Sequence, residues 1–227
     1  MPMHKRLSLL EIIELITSLE PENPKVQNLS SDEPKIAETL DALALEQGQT
    51  YLSMGIGFNV LPLIVALHGL HVTAVDIARD VLQYQKDISD RCGDHLRQVG
   101  GSLTVFNYDY DAPYLTKPVD GFETPSNGQL SGGFDIVECV YPNLKGQERG
   151  LAHTIFNFSR NSSRYLVSSR GGPQGKDDKI VLGLMYRIGM GAATTGISPE
   201  IVRTGLYASN RHNYPAVAVM THSNHLS

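Results

Sequence analysis

The feature that most constrains this chain is a strand–turn–helix–strand pattern within residues 50–82. A short apolar run enters Gly55-Ile56-Gly57, a helix-like stretch covers about residues 58–68, and a second apolar run at 71–75 leads into Asp76. Glycines between a strand and a helix let the backbone approach a ligand closely. An acid at the tip of the next strand is placed to hold two ribose hydroxyls. The pattern therefore predicts an adenosine-bearing cofactor at the carboxyl ends of a parallel sheet.

One position argues against a dinucleotide. The dinucleotide fingerprint needs a third glycine at position 60, where this chain has Val60. A β-branched side chain there would crowd the approach that lets the amino end of a helix hold pyrophosphate. A nicotinamide-dependent oxidoreductase is therefore disfavoured.

The segment Leu52–Asn59 resembles the first motif of the Rossmann-like class of S-adenosylmethionine-dependent methyltransferases. That motif runs apolar-acid-x-Gly-x-Gly-x-Gly, and an acid ends the second strand. Two positions depart from it, because Ser53 replaces the acid and Asn59 replaces the third glycine. Asparagine tolerates left-handed backbone well, so the second departure is mild. The family's acid helps to hold the methionine amino group, and a serine hydroxyl would do so without charge.

The resemblance also implies which residues contact the cofactor. Asp76 would bind the ribose, although an alternative interpretation makes it the cap of the next helix. Asp109, with Asp111 as a competitor, would bind the adenine amino group, and Tyr108 or Tyr110 would stack on the ring. The cofactor-binding residues expected in this way are Ser53, Gly55, Gly57, Asn59, Asp76, Ile77, Asp109 and Tyr110.

Candidate catalytic residues follow the predicted fourth strand, residues 134–140. In the resembled family the reacting groups lie here, and enzymes that methylate planar nitrogens carry Asn/Asp-Pro-Pro-Tyr/Phe. This chain has Val140-Tyr-Pro-Asn143 in that register, which disfavours methylation of adenine or glutamine amides. Glu138 would act as a general base if burial raised its pKa, or would orient a substrate. Tyr141 would orient a substrate and His153 is a second candidate base, while strand-end packing is the competing interpretation.

The order of elements predicts the fold class and the domains. We expect an N-terminal helical cap at residues 1–49 and an S-adenosylmethionine-binding domain at residues 50–227. The domain is predicted to be an α/β, Rossmann-like three-layer sandwich whose mostly parallel sheet ends in an antiparallel hairpin. Its further elements are predicted as a helix at 79–99, a strand at 103–109, a helix at 146–157, a strand at 164–169, a helix at 179–189, a short helix from 198 and hairpin strands at 206–210 and 215–222. Ser30 and Glu33 have capping-box spacing for a helix in the cap.

Composition excludes several classes of function. The net charge of −5 and the lack of a basic run disfavour nucleic acid. No stretch approaches the roughly 20 apolar residues of a membrane span. Because Glu11 and Glu14 interrupt the N-terminal apolar stretch, we do not expect it to be a signal peptide. Two cysteines, Cys92 and Cys139, are too few for a disulfide framework, and a cytoplasmic location is expected. The histidines show no His-x-x-x-His spacing, so we expect no metal site.

Three hypotheses for the function stay open. The leading one is transfer of a methyl group from S-adenosylmethionine to a small-molecule acceptor, with S-adenosylhomocysteine as the product. The second keeps the cofactor but transfers its aminocarboxypropyl arm, as enzymes of the nicotianamine-synthase type do. The third is a non-catalytic protein of methyltransferase fold that binds a partner. A homodimer is compatible with each, because homodimers are the commonest assemblies.

Overall fold

The computed structural model describes residues 6–109, 116–125, 130, 133–140, 154–168, 200–204 and 217–223. The strands are β1 (Thr50–Met54), β2 (His71–Asp76), β3 (Ser102–Asn107), β4 (Phe134–Val140), β5 (Ser159–Ser168), β6 (Glu200–Thr204) and β7 (Val217–Ser223). The helices are α1 (Leu9–Leu19), α2 (Pro24–Gln27), α3 (Leu29–Leu43), α4 (Leu61–Leu67), α5 (Arg79–Arg91) and α6 (Gly93–Val99), and residues 154–158 are also helical.

The strands form one sheet in the order β3-β2-β1-β4-β5-β7-β6. The first five strands are parallel, and β7 lies antiparallel to both β5 and β6. This confirms the predicted α/β sandwich with a mostly parallel sheet and a terminal antiparallel hairpin. The strand order reverses between β1 and β4, and ligands of open parallel sheets bind outside the carboxyl ends of the strands at such a point.

The centre of the sheet is buried on both faces. Four of the five β1 residues are buried, and every residue of α4 is buried against the sheet. Near-continuous apolar sequence suits strands covered by helices on both sides. Helix α4 begins at Leu61, later than predicted, because Pro62 occupies its first turn and the Asn59 Oδ1 accepts a hydrogen bond from the Leu61 amide at 3.0 Å.

The N-terminal helices share the hydrophobic core with α4 and β1. Helix α1 begins with a capping box between Ser8 and Glu11. The apolar stripe of α3 is buried and consists of Ile36, Leu40 and Leu43. The Arg164 guanidinium on β5 donates to the carbonyl oxygen of Leu43 at 2.5 Å and to that of Ala44. This cation at the carboxyl end of α3 stabilises the contact between α3 and the sheet.

Three predicted helix and strand boundaries are wrong. The capping box at Ser30 is absent, because α3 begins at Leu29 with Asn28 as its N-cap. The predicted helix at 79–99 is two helices that meet at Cys92, where Gly93 has low helix propensity. Strand β3 ends at Asn107 instead of residue 109, because the Asn107 amide and side chain donate hydrogen bonds to residues within 117–124.

The carboxyl-terminal hairpin is also placed differently. Instead of the predicted short helix from residue 198, Glu200–Thr204 forms β6, and its three β-branched residues suit a strand. Strand β7 covers 217–223 instead of 215–222, and β5 begins at Ser159 instead of residue 164. The predicted strand at 206–210 and helix at 179–189 lie outside the described residues. Of the predicted helix at 146–157, only the last four residues are described, and they are helical.

Cys92 and Cys139 are both buried and free, so they form no disulfide, as predicted. Among the described helices, none has the length and apolar character that crossing a bilayer requires.

The packing of β3 against α4 depends on a residue without a side chain. A Cβ atom on Gly101 would lie 1.9 Å from the Ala66 carbonyl oxygen, which is backbone and cannot move aside. We expect Gly101→Ala to lower the free energy of unfolding by about 3 kcal/mol, measured by urea denaturation. Gly93→Ala is the matched control, because the nearest atom to its Cβ is the mobile Arg97 guanidinium at 3.5 Å. Equal stability of the two variants would contradict this packing.

Candidate active site

A glycine turn lies at the carboxyl end of β1. Gly55 and Gly57 have φ angles of 66° and 54°, a left-handed conformation that side chains disfavour. The amides of Gly55 and Ile56 donate to the Val75 carbonyl oxygen at 2.9 and 3.3 Å, so the turn lies against the end of β2. A Cβ atom on Gly57 would meet nothing within 4 Å. Among the described residues, nothing therefore covers the Gly57 backbone on this side, and a ligand can approach it there.

The Asp76 carboxylate joins this turn to the end of β2. Its Oδ2 accepts from the Gly57 amide at 3.0 Å, and its Oδ1 accepts from the amides of Ile77 and Ala78 at 2.8 and 3.0 Å. Asp76 is not the cap of α5, because the cap residue is Ala78 and it has no side-chain cap bond. The structure thus brings together the acid and the glycine that the sequence pattern singled out.

A residue that sequence reasoning missed supports the turn from beneath. Gln85 on α5 is fully buried, and its Nε2 donates to the carbonyl oxygens of Gly57 and Asn59 at 2.9 and 2.8 Å. A glutamine in line with the buried Val81 and Ile88 was the available signal, since a polar residue on a buried helix face needs a hydrogen-bond partner.

The N-terminal region also reaches the turn. The Phe58 ring packs edge-on against Tyr84, with ring centroids 5.5 Å apart, and the Tyr84 hydroxyl accepts a bond of 2.8 Å from the Asn23 side chain. Burial raises the pKa of Tyr84 to about 12, so this hydroxyl stays protonated. The segment between α1 and α2 is thereby connected to the rim of the glycine turn.

Glu138, near the end of β4, is the most unusual group in the site. It is 1% exposed. Its Oε2 accepts from the Tyr51 hydroxyl at 3.0 Å and its Oε1 from the Asn59 side chain at 3.1 Å. The Ser53 side chain supplies a third hydrogen bond. Ser53 and Asn59, the two departures from the glycine motif, therefore contact the same carboxylate.

The environment of Glu138 changes its protonation. Burial raises the pKa of Glu138 to about 7, and the hydrogen bonds from Ser53, Tyr51 and Asn59 oppose this effect. Within the described residues no lysine, arginine or histidine forms an ion pair with it. The raised pKa is the condition under which we expected Glu138 to act as a base, and that role stays a prediction.

The adenine side of the predicted site is only partly described. Tyr108 is 2% exposed and lies edge-on to Phe158, so it cannot stack on a ligand. Asp109 lies two residues beyond β3, and its amide donates to the Thr116 hydroxyl at 3.1 Å. Ile77 is 58% exposed beside Asp76 and offers an apolar surface. Outside the described residues lie Tyr110, Asp111, Tyr141 and His153.

The raised pKa makes a pH-dependent contribution to stability. Between pH 4.5 and about 7 the folded protein keeps a proton on Glu138 that the unfolded chain has released. This favours the folded state at low pH, and the benefit is lost as pH rises through 7. A glutamine does not ionise, so we expect the stability of Glu138→Gln relative to the unmodified protein to increase by roughly 3 kcal/mol between pH 5 and pH 8. Urea unfolding at both pH values measures this, and a difference that does not change with pH would contradict it.

No family model matches this chain, and no curated protein matches it. Its fold matches solved structures. Magnesium protoporphyrin IX methyltransferase (ChlM) from Synechocystis PCC 6803, with bound S-adenosylmethionine, aligns with 94% of this chain and 91% of its own, at a TM-score of 0.54 and 15% identity. The methyltransferase domain of bacterial CtHen1 aligns with 84% of this chain and 98% of its own, at a TM-score of 0.53 and 13% identity. TYW2 from M. jannaschii, in complex with S-adenosylmethionine, aligns with 82% of this chain and 74% of its own, at a TM-score of 0.51 and 12% identity.

Some matched structures are longer than this chain. It spans 56% of a Bacillus halodurans protein, at a TM-score of 0.45 and 14% identity, and 61% of TYW2 from P. horikoshii, at 0.50 and 11%. The likeness at these identities concerns the course of the backbone, and the strand order, glycine turn and Asp76 agree with it. The chain has the Rossmann-like fold of the S-adenosylmethionine-dependent methyltransferases.

Proposed function

We propose that the protein binds S-adenosylmethionine at the carboxyl ends of β1, β2 and β4 and transfers its methyl group to a small-molecule acceptor. The contact between the Gly57 amide and the Asp76 carboxylate carries this proposal. It joins an open glycine turn to an acid beside the point where the strand order reverses, where parallel sheets bind ligands.

The described residues fit such a cofactor. The positive φ angles of Gly55 and Gly57 and the open space above Gly57 allow the backbone to approach it. The Asp76 carboxylate would accept hydrogen bonds from ribose hydroxyls, and Ile77 would cover one face of the adenine. Asp109 stays our candidate for the adenine amino group.

The cofactor supplies an activated methyl group on its sulfonium, so the chain itself has mainly to position the reactants and exclude water. A base is needed only if the acceptor must lose a proton. Tyr141 and His153 stay predictions for orienting or deprotonating the acceptor. Because Glu138 is buried among hydrogen-bond donors, its carboxylate is better suited to binding a group of the ligand than to acting as a base.

The choice of a small-molecule acceptor rests on charge. The net charge of −5 disfavours a surface that follows a phosphate backbone. A polyanionic partner would be repelled by the net negative charge of the protein. A small acceptor bound at the carboxyl edge of the sheet has no such requirement.

A second transfer reaction is favoured by one observation. Ser53 replaces the acid that holds the amino-acid arm in the resembled motif, and Glu138 lies beside it. An arm held differently could itself be transferred, as an aminocarboxypropyl group. The two reactions leave different by-products, S-adenosylhomocysteine or 5′-methylthioadenosine.

We expect the protein to bind S-adenosylmethionine and S-adenosylhomocysteine, but not NADH or NADPH, in calorimetric titrations. Asp76→Ala removes the acceptor for the ribose hydroxyls and the Gly57 amide, so affinity should fall by about 10- to 100-fold. Asp80→Ala is the control, because Asp80 is an exposed acid in the first turn of α5. Absence of binding to either sulfur compound, or an equal loss in the control, would contradict the cofactor site.

We expect the released by-product to be S-adenosylhomocysteine. The measurement is mass spectrometry of the purified protein incubated with S-adenosylmethionine and a pool of small metabolites, with Asp76→Ala as the inactive control. Release of 5′-methylthioadenosine would establish aminocarboxypropyl transfer instead. Cofactor binding with neither by-product would favour a non-catalytic role.

A further inference from the structure

We propose that Glu138 supplies, from the neighbouring strand, the negative charge that the glycine motif lacks at Ser53, and that it binds the α-ammonium group of the cofactor's methionine arm. This inference rests on the proposed function, since it names the group that holds one end of the same cofactor.

The register of the sheet places the two residues side by side. Ser53 on β1 pairs with Glu138 on β4 in a parallel ladder. Residues paired in this way point to the same face of the sheet, at the same height along the strands. The Ser53 side chain also lowers the pKa of the Glu138 carboxyl, in agreement with this pairing. Compared with an acid at position 53, the Glu138 carboxylate therefore lies one strand to the side, at the same height near the carboxyl edge of the sheet.

The contacts of Glu138 indicate what kind of group it would bind. Its three donors, from Tyr51, Ser53 and Asn59, are all neutral. Buried carboxylates are normally paired with a cation, and in the described part of the chain none is paired with Glu138. A carboxylate has about four acceptor positions, so three donors leave room for one more. A ligand ammonium group would supply both the missing charge and the additional donor.

Asn59 accounts for the second departure from the motif. Its Nδ2 donates to Glu138 at 3.1 Å, and its Oδ1 accepts from the Leu61 amide at the start of α4 at 3.0 Å. A glycine at this position could do neither. The serine that pairs with Glu138 and the asparagine that orients its carboxylate thus serve one arrangement, in which the acid comes from β4 instead of β1.

The test compares three ligands that differ in charge. Of the two cationic groups, S-adenosylmethionine has both the ammonium and the sulfonium, and S-adenosylhomocysteine has the ammonium alone. 5′-Methylthioadenosine lacks the whole amino-acid arm and has neither. We expect Glu138→Gln to weaken binding of the first two by about 10- to 100-fold in calorimetric titrations and to leave 5′-methylthioadenosine within about twofold. Glu46→Gln is the matched control, because that side chain is 73% exposed and lies before β1, at the opposite end of the strand.

Each other outcome is distinct. Equal weakening of all three ligands would overturn the inference, since Glu138 would then only support the turn. Weakening of S-adenosylmethionine alone would also overturn it, because the carboxylate would face the sulfonium. Failure of the unmodified protein to bind any of the three would contradict the proposed function itself.

A second variant keeps the test decisive if Glu138→Gln fails to fold, which thermal unfolding would reveal. Adding Ser53→Asp to Glu138→Gln returns the charge to β1, one strand away at the same level. We expect this double variant to recover binding of S-adenosylhomocysteine to within about tenfold of the unmodified protein. A folded double variant that binds S-adenosylhomocysteine no more tightly than 5′-methylthioadenosine would overturn the inference.

Discussion

The buried carboxylate of Glu138 is the interaction that links the elements of the candidate site. It takes hydrogen bonds from β1 through Tyr51 and Ser53 and from the glycine turn through Asn59. Desolvating such a group is costly, and hydrogen bonds recover only part of that cost. Proteins keep buried ionisable groups of this kind where they have a task, so its place beside the glycine turn is informative.

The glycine turn is held from two sides. Asp76 accepts the Gly57 amide from the end of β2, and Gln85 donates to the carbonyl oxygens of Gly57 and Asn59 from α5. Satisfying both the donors and the acceptors of a sharp turn keeps its geometry fixed before a ligand arrives. In the described part of the chain the space above Gly57 stays open, so a fixed geometry and access for a ligand are combined at this residue.

Hydrophobic pattern and glycine spacing were enough to predict β4 and the glycine turn. The bounds of β4 follow from its near-continuous apolar run, and the glycine turn with Asp76 follows from spacing alone. The break at Cys92 and the strand β6 were missed, because helix continuation and strand pairing depend on tertiary neighbours. The partners of Glu138 were out of reach for the same reason. Tyr51 lies 87 residues away in sequence, and no spacing rule joins it to β4.

A crystal structure of the protein with S-adenosylhomocysteine would test the cofactor site most directly. We expect the ribose hydroxyls within hydrogen-bonding distance of the Asp76 carboxylate and the ammonium nitrogen within about 3 Å of a Glu138 oxygen. The ligand bound elsewhere, or bound with its amino-acid arm directed away from Glu138, would contradict it.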